Sequence, residues 1–588
     1  CLDGATNLKQ KSLFSMRGIS LMKYLVGALT AIFVVALILL SSQMGSRPPL
    51  PQQQLFANGQ IITMDSNTPF AEAMVLERQR IVWLGSTEEA AQRYPSLPAK
   101  DLAGKTVIPG FIDAHGHFPG SGLSAFTLDM NSPPTGTVDN IADIQSTLRT
   151  AAKHKQGWLV GMGYDDSLLA EARHPNRSDL DAVTGDRPAF LLHVSGHMGV
   201  ANSAALALVG IDRHSIDPEG GRIVRDKQGE PTGLLLETAA APVQLLAMDF
   251  SAGDFFRMID VASADYLRLG VTTAQSGGVD AKMLQGLWLA SMLHRVPQRL
   301  EVWPLWKELG EQLVSGSFDA GRFQSESFHI GAIKIIADGS IQGYTGFLGR
   351  PYHQAYEGDE TYRGFPLMSA DELKVQVASA QAAGYQLAIH GNGDAAIDMV
   401  LDAIEAAQAS SPTEDIRHII IHAQMARDDQ LKRMQQLGAS PSFFSAHTYY
   451  WGDRHRDIFM GPQRAARMSP ARSAEQIGLR YSVHLDTPVV PMDPLLLLWS
   501  TVNRVSASGA VIGADQRVTV ENALRAMTID AAWQIHREQE LGSLAPGKLA
   551  DFIVLDKNPL SIKPDNLRDL RVEATYIGGR RYYQRLAN

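Results

Sequence analysis

A chain of 588 residues with 45% hydrophobic composition can bury a large core, and its length suits several domains or one large barrel with an accessory part. Its 53 Lys+Arg against 62 Asp+Glu leave a net charge of −9 with no basic block, which argues against a nucleic-acid groove and a polybasic membrane patch and points to a small-molecule partner. The single cysteine, Cys1, precedes any folded segment, so disulfides and thiolate metal sites within the chain are excluded; a metal would need His, carboxylate or modified Lys.

Residues 1–23 read as a basic N-terminal extension, with 1–21 upstream of a natural start at Met22. Within 24–42 the uncharged run YLVGALTAIFVVALILL, preceded by Lys9, Lys11, Arg17 and Lys23, reads as a transmembrane anchor or an export signal. The run is at the short end of spanning length, and the SSQMGS that follows is a weak cleavage site. Either reading puts the bulk of the chain outside the cytoplasm, on the periplasmic or extracellular face, held to the membrane if the segment stays. No Cys follows, which rules out a lipoprotein-type anchor. The Pro- and Gln-rich segment 43–54 is a linker.

Residues 55–106 alternate short β-type runs with turn signals: LFANGQIITM holds an Asn-Gly pair, and AMVLERQRIVWLG is a second hairpin candidate. Similar runs, ADFIVLD and VEATYIGGRRYY, recur in 541–588. The two β-rich ends are expected to meet in one small β-sandwich beside the central domain. Across 107–540, apolar β-type runs alternate with amphipathic stretches such as SADELKVQVASAQAAG, the pattern of βαβ units. Eight such runs stand out: TVIPGFIDAH, GVTTAQSG, LEVWPLW, IGAIKIIAD, YQLAIHG, HIIIHAQ, SPSFFSAH and YSVHLD. The expected fold is α/β, a TIM (β/α)8 barrel whose catalytic groups sit at the C-terminal strand ends. Residues 118–265, too long for one crossover, form a large insert after the first strand.

The strand ends carry the chemistry. In FIDAHGH, His115 and His117 are one residue apart, so strand alternation points both the same way and lets them chelate a metal. Lys334 lies in an apolar strand where an unpaired ammonium is costly. It is either salt-bridged, with Asp338 in reach, or carboxylated by CO₂ into a carbamate bridging two metals. His390 ends YQLAIH, His422 ends HIIIH, and Asp486 ends YSVHLD; singly, these read as hydrogen-bonded core histidines and a helix-capping aspartate. The order HxH, Lys, His, His, Asp across strands one, four, five, six and eight makes them one metal site.

These motifs, with TVENALRAMTIDAAWQI and GSLAPGKLADFIVLDKNPL, resemble the amidohydrolase superfamily over roughly 55–580, and most closely its third family, which includes N-substituted formamide deformylases. In the insert, GYDD, RPAFLLHVSGHMGVANSAAL and GEPTGLLLE look like that family's hallmarks. The resemblance implies two divalent metals, usually zinc: His115 and His117 on the more buried ion, carboxylated Lys334 as bridge, His390 and His422 on the second, and Asp486 as ligand and base. It implies attack of a metal-bridging hydroxide on a carbonyl, with Asp486 passing the proton to the leaving nitrogen. Ile421 stands where many relatives carry Glu, and His484-Leu485 where they carry Gly-Ser, changes that alter the surroundings of the ligands. His484, His197 from the insert, and His447 and Trp451 of the aromatic loop SFFSAHTYYWGDRH are candidate substrate contacts; core packing beneath the loop is the other reading of His447. The leading activity is hydrolysis of a carbon–nitrogen bond other than a peptide bond. The alternatives are an ester or lactone hydrolase using the same site, or a non-catalytic sensor on the same scaffold.

Overall fold

The computed structural model describes residues 44–154 and 156–586. Among them no helix is long and apolar enough to cross a membrane. The expected transmembrane helix therefore has no counterpart among the described residues, and the membrane attachment built on it is without support there; the run 24–40 that suggested them lies outside those residues.

The molecule is an α/β protein of several sheets. Two of these sheets come from the chain ends. One orders Arg80–Gly85, Ala73–Glu77, Gln53–Ala57 and Ala99–Asp101; the other orders Arg580–Gln584, Val572–Ile577, Phe552–Leu555, Thr106–Pro109, Gln60–Ile62 and Phe70–Ala71. The run AMVLERQRIVWLG is a hairpin, its strands pairing antiparallel. The Asn-Gly pair is not one: the strands on either side of it join different sheets. Leu55, Phe56 and Ala57 are buried in succession rather than alternately, so this strand needs cover on both faces. Asn58, at φ 57, turns the chain across to the other sheet. There Phe56 meets Phe552 and Tyr576 edge-on at 5.2 and 5.3 Å, and those two rings stack at 4.5 Å. The first strand starts at Gln53, inside the segment expected to be linker.

The expected first strand TVIPGFIDAH is divided. Thr106–Pro109 pairs with Gln60–Ile62 and Phe552–Leu555 in the end sheet, and Phe111–Ile112 pairs with the central strand Val271–Val279. Gly110 makes the step, because a Cβ there would lie 2.2 Å from the Thr272 side chain. The end sheet therefore reaches past the boundary expected at 107.

The central strands form two parallel arcs. Phe111–Ile112, Val271–Val279, Arg299–Pro304 and Phe328–Ile330 make the first, and Ile333–Ile336, Leu387–Gly391, Ile419–His422, Ser440–Phe443 and Ser482–Val483 the second. Each expected run thus contains a strand laid beside the next in chain order. A parallel bridge between Leu305 and Lys334 links the arcs on one side. On the other, Asp486 N donates to His115 O at 3.2 Å and His117 N to Thr487 O at 2.8 Å. Val302, Ile335, Leu387, Ile389 and Ile420 belong to one buried cluster, the continuous apolar pattern of strands covered on both faces. The covering helices include Ala370–Ala382, started by Ser369 accepting from Glu372 N, and Asp394–Ser410 packed against it.

Between the first two central strands lies a six-stranded sheet, ordered Gly221–Arg225, Pro231–Glu237, Met198–Ala201, Ala189–His193, Leu159–Tyr164 and Leu128–Asp129, with its own apolar clusters. Helix Ala252–Arg268, opened by a Ser251/Asp254 capping box, then leads into Val271–Val279. The insert sheet hangs its strand ends over the mouth of the parallel arcs.

Candidate metal centre and cavity

His115, His117, Lys334, His390, His422 and Asp486 line one cavity of about 920 Å³. Asp486 sits at their centre: its Oδ1 is 3.4 Å from His115 Nε2 and 3.1 Å from His117 Nε2, and its Oδ2 is 3.8 Å from His422 Nε2. Lys334 Nζ is 3.2 Å from His115 Nε2, and the His390 and His422 rings meet edge-to-face at 4.5 Å. His422 and Asp486 hold positive φ, at 69° and 57°, a sparsely populated region in which strained functional residues cluster.

Each histidine is oriented from behind. His117 Nδ1 lies 2.8 Å from Gly277 O, which can only accept, so the proton is on Nδ1 and Nε2 carries a bare lone pair. His115 Nδ1 lies 3.2 Å from Gln275 Oε1, which also takes the Gly116 N–H at 2.7 Å. His390 Nδ1 lies 3.1 Å from Asp338 Oδ1. Behind His422 stands His484, with Nε2 3.1 Å from His422 Nδ1 and Nδ1 2.8 Å from Ser442 Oγ, which in turn accepts from Ser482 Oγ at 2.8 Å. The tautomer that gives His484 Nδ1–H to Ser442 lets His484 Nε2 accept from His422, freeing His422 Nε2 as at His117, whereas His390 Nε2 has the Asn392 amide at 3.3 Å.

Bare lone pairs facing a carboxylate repel one another unless a cation lies between them. Asp486 Oδ1 is buried and makes no hydrogen bond, with the bare His117 Nε2 3.1 Å away. His115, His117 and Asp486 offer ligand atoms all within 4.8 Å of one another, so this nitrogen and oxygen donor set fits a divalent ion. Burial pushes the His115 and His422 imidazoles well below the usual histidine value, which keeps them in the neutral, ligating form. Lys334 is pushed down to about 8 by burial.

Asp338 is not the ion-pair partner of Lys334. Its carboxylate accepts from His390 Nδ1 and from the backbone N–H groups of Asn392, Gly393 and Phe347. Three of the four candidate substrate contacts also lie elsewhere. His484 is 1% exposed, does not line the cavity, and spends both ring nitrogens on Ser442 and His422. His447 packs beneath its loop, stacked on Phe444 at 4.0 Å. Trp451 is 3% exposed and gives its indole N–H to Asp165 Oδ2 at 2.9 Å, tying the loop after the seventh strand to the insert. His197 alone of the four reaches the cavity, its ring 5.7 Å from that of His390 and its Nδ1 2.9 Å from Glu237 Oε2.

Gln275, Asp338 and Glu237 were missed as functional residues. Asp338 and Glu237 end apolar runs, a signal that could have marked them, whereas Gln275 shows only as a polar residue within an apolar strand. A second cluster of ligand-type atoms, Asp165, Asp166 and His193, lies in the insert. Its members are already bonded: Asp165 to Ser167 and Trp451, and Asp166 to His193.

Residues 99–583 match the amidohydrolase family. The chain is 32% identical over 551 residues to the N-substituted formamide deformylase of Arthrobacter pascens, covering 90% of this chain and 98% of that protein. It is 28% identical over 558 residues to YtcJ of Bacillus subtilis (strain 168), covering 90% and 99%. An uncharacterized metal-dependent hydrolase from Pyrococcus horikoshii superposes with a TM-score of 0.70 at 25% identity, over 87% of this chain and 99% of that one. With a family match that runs from the end sheets through both arcs and back, the chain belongs to the amidohydrolase family and is an enzyme of that family.

Proposed function

We propose that this enzyme hydrolyses a carbon–nitrogen bond other than a peptide bond, in an amide of the N-acyl or N-formyl type. The observation that carries the reading is the convergence of four outward-anchored histidines on Asp486 and Lys334 in one cavity. The similarity to a protein named N-substituted formamide deformylase supports the choice of bond. The two parallel arcs are read as halves of one (β/α)8 barrel, and the end sheets as its companion β-sandwich.

His115, His117, His390, His422 and Asp486 would hold two divalent ions, zinc being the first choice for such donors, with Lys334 bridging as a carbamate. A lowered lysine value favours the neutral amine, the form that adds CO₂ and releases a proton. Bound, the ions supply an acidified water and a polarised carbonyl. Asp486 would carry the proton from the attacking water to the leaving nitrogen. His197, fixed by Glu237, borders the substrate from the insert side.

Metal analysis of the bicarbonate- and zinc-loaded protein, followed by turnover of matched amide and ester panels, tests this reading. Near two equivalents per chain and amide turnover are expected. One equivalent would contradict the paired site, and turnover of esters without amides would contradict the bond assigned.

A further inference from the structure

The wall of the cavity opposite the ligands differs from them in kind. The insert and the helices at its edges give it an apolar stretch, Met162, Leu192, Leu245, Met248, Phe250 and Met258, beside a few polar groups such as Ser195 and Gln244. Leu245, on helix Ala241–Ala247, is 75% exposed although it faces the cavity, so an apolar side chain waits there with little protein over it. Thioethers and a ring in such number make a deformable apolar surface, suited to a bulky hydrocarbon group of varied shape.

Charge on the same walls is one-sided. Among the described residues lining the cavity, Lys334 is the sole Lys or Arg, and it lies 3% exposed among the ligands. His197 is already matched by the Glu237 carboxylate at 2.9 Å. The carboxylates are four: Asp486 and Glu237 inside, and Asp280 and Glu308, both exposed, at the lining's solvent side. A substrate carboxylate would find no fixed cation to pair with beyond the reacting centre, and would lie among like charges.

We propose that the substrate is an amide without an acidic group, carrying a bulky apolar substituent that lies against the insert wall. Amides of amino acids, with their α-carboxylate, are rejected; amides of uncharged or basic amines with a large hydrocarbon body are accepted. The proposal rests on the reading of the site as an amide hydrolase and names the substrate class for it. It assigns the ligands the chemistry and the insert the selection.

The test uses the metal-loaded full chain and two matched pairs, each differing by one carboxylate. Binding is measured by calorimetry with N-methanesulfonyl-2-phenylethylamine and N-methanesulfonylphenylalanine, which the enzyme does not cleave. Turnover is measured with the two corresponding formamides. The neutral member is expected to bind at least about tenfold more tightly and to show the larger kcat/KM. Leu245→Lys, a substitution at an exposed site, is expected to narrow the ratio by improving affinity for the acid. Equal binding, tighter binding of the acid, or binding of neither compound overturns the proposal. A binding preference without turnover of either formamide upholds the selectivity and refutes the assigned bond cleavage.

Discussion

The two sides of the cavity are built on opposite rules. On the strand-end side each ligating histidine has a partner behind it: Gln275, Gly277, Asp338 and His484 each hold one ring. On the insert side the wall is largely apolar and partly open, and its imidazoles are bonded within the insert, His197 to Glu237 and His193 to Ser195. The first is rigid because ligand geometry tolerates little error. The second is soft because an apolar group gains from contact area rather than from direction. A hydrolase can thus keep one reaction centre while its insert changes the substrate.

The substitutions that separate the sides can be ranked. Asp486→Asn attacks the rigid side at its centre and should lower kcat by roughly 10³-fold or more, with the melting temperature little changed; activity within tenfold of wild type would remove Asp486 from proton transfer. His484→Ala frees His422 from its partner and should weaken metal affinity about 10- to 100-fold in a chelator competition. In that variant the preference between neutral and acidic amides should stay as it was, and His484→Gln should recover part of the affinity. Unchanged metal affinity in the alanine variant would make His484 mere packing. Trp451→Phe cuts a tie between the sides, leaving Asp165 Oδ2 without its indole donor. A stability loss of about 1 kcal/mol in urea titration and a few-fold rise in KM are expected, with metal content unchanged. A fall in kcat without a change in KM would show the tie serving the reaction centre instead.

What the amino-acid order could reveal followed the same division. The ligands were readable because each lies in or just after a short apolar strand, where a His, Lys or Asp is out of place. Their supports were not readable. Gln275 is 160 residues from His115, and Asp338 is 52 from His390, so nothing short of the strand order brings them together. His447, Trp451 and His484 looked like pocket residues because aromatic and imidazole side chains suit pockets and cores equally. Burial decided for the core, as stacking on Phe444, a bond to Asp165 and a bond to Ser442 show. The Asn-Gly turn misled for a related reason: local turn chemistry permits a hairpin, but the consecutive burial of Leu55, Phe56 and Ala57 required two sheets.

The end sheet also has a consequence for the order in which the molecule can be completed. Thr106–Pro109 lies between Gln60–Ile62 and Phe552–Leu555, so one edge of it has its native neighbour only after more than four hundred further residues have been made. The Gln54 side chain waits longer still, for the carbonyl of Gly579. On a ribosome adding about 5–20 residues each second, that edge stays unpaired for tens of seconds. During that time the growing chain carries an open β-edge and the uncovered ring of Phe56, the kind of surface that chaperones hold and that neighbouring chains can capture.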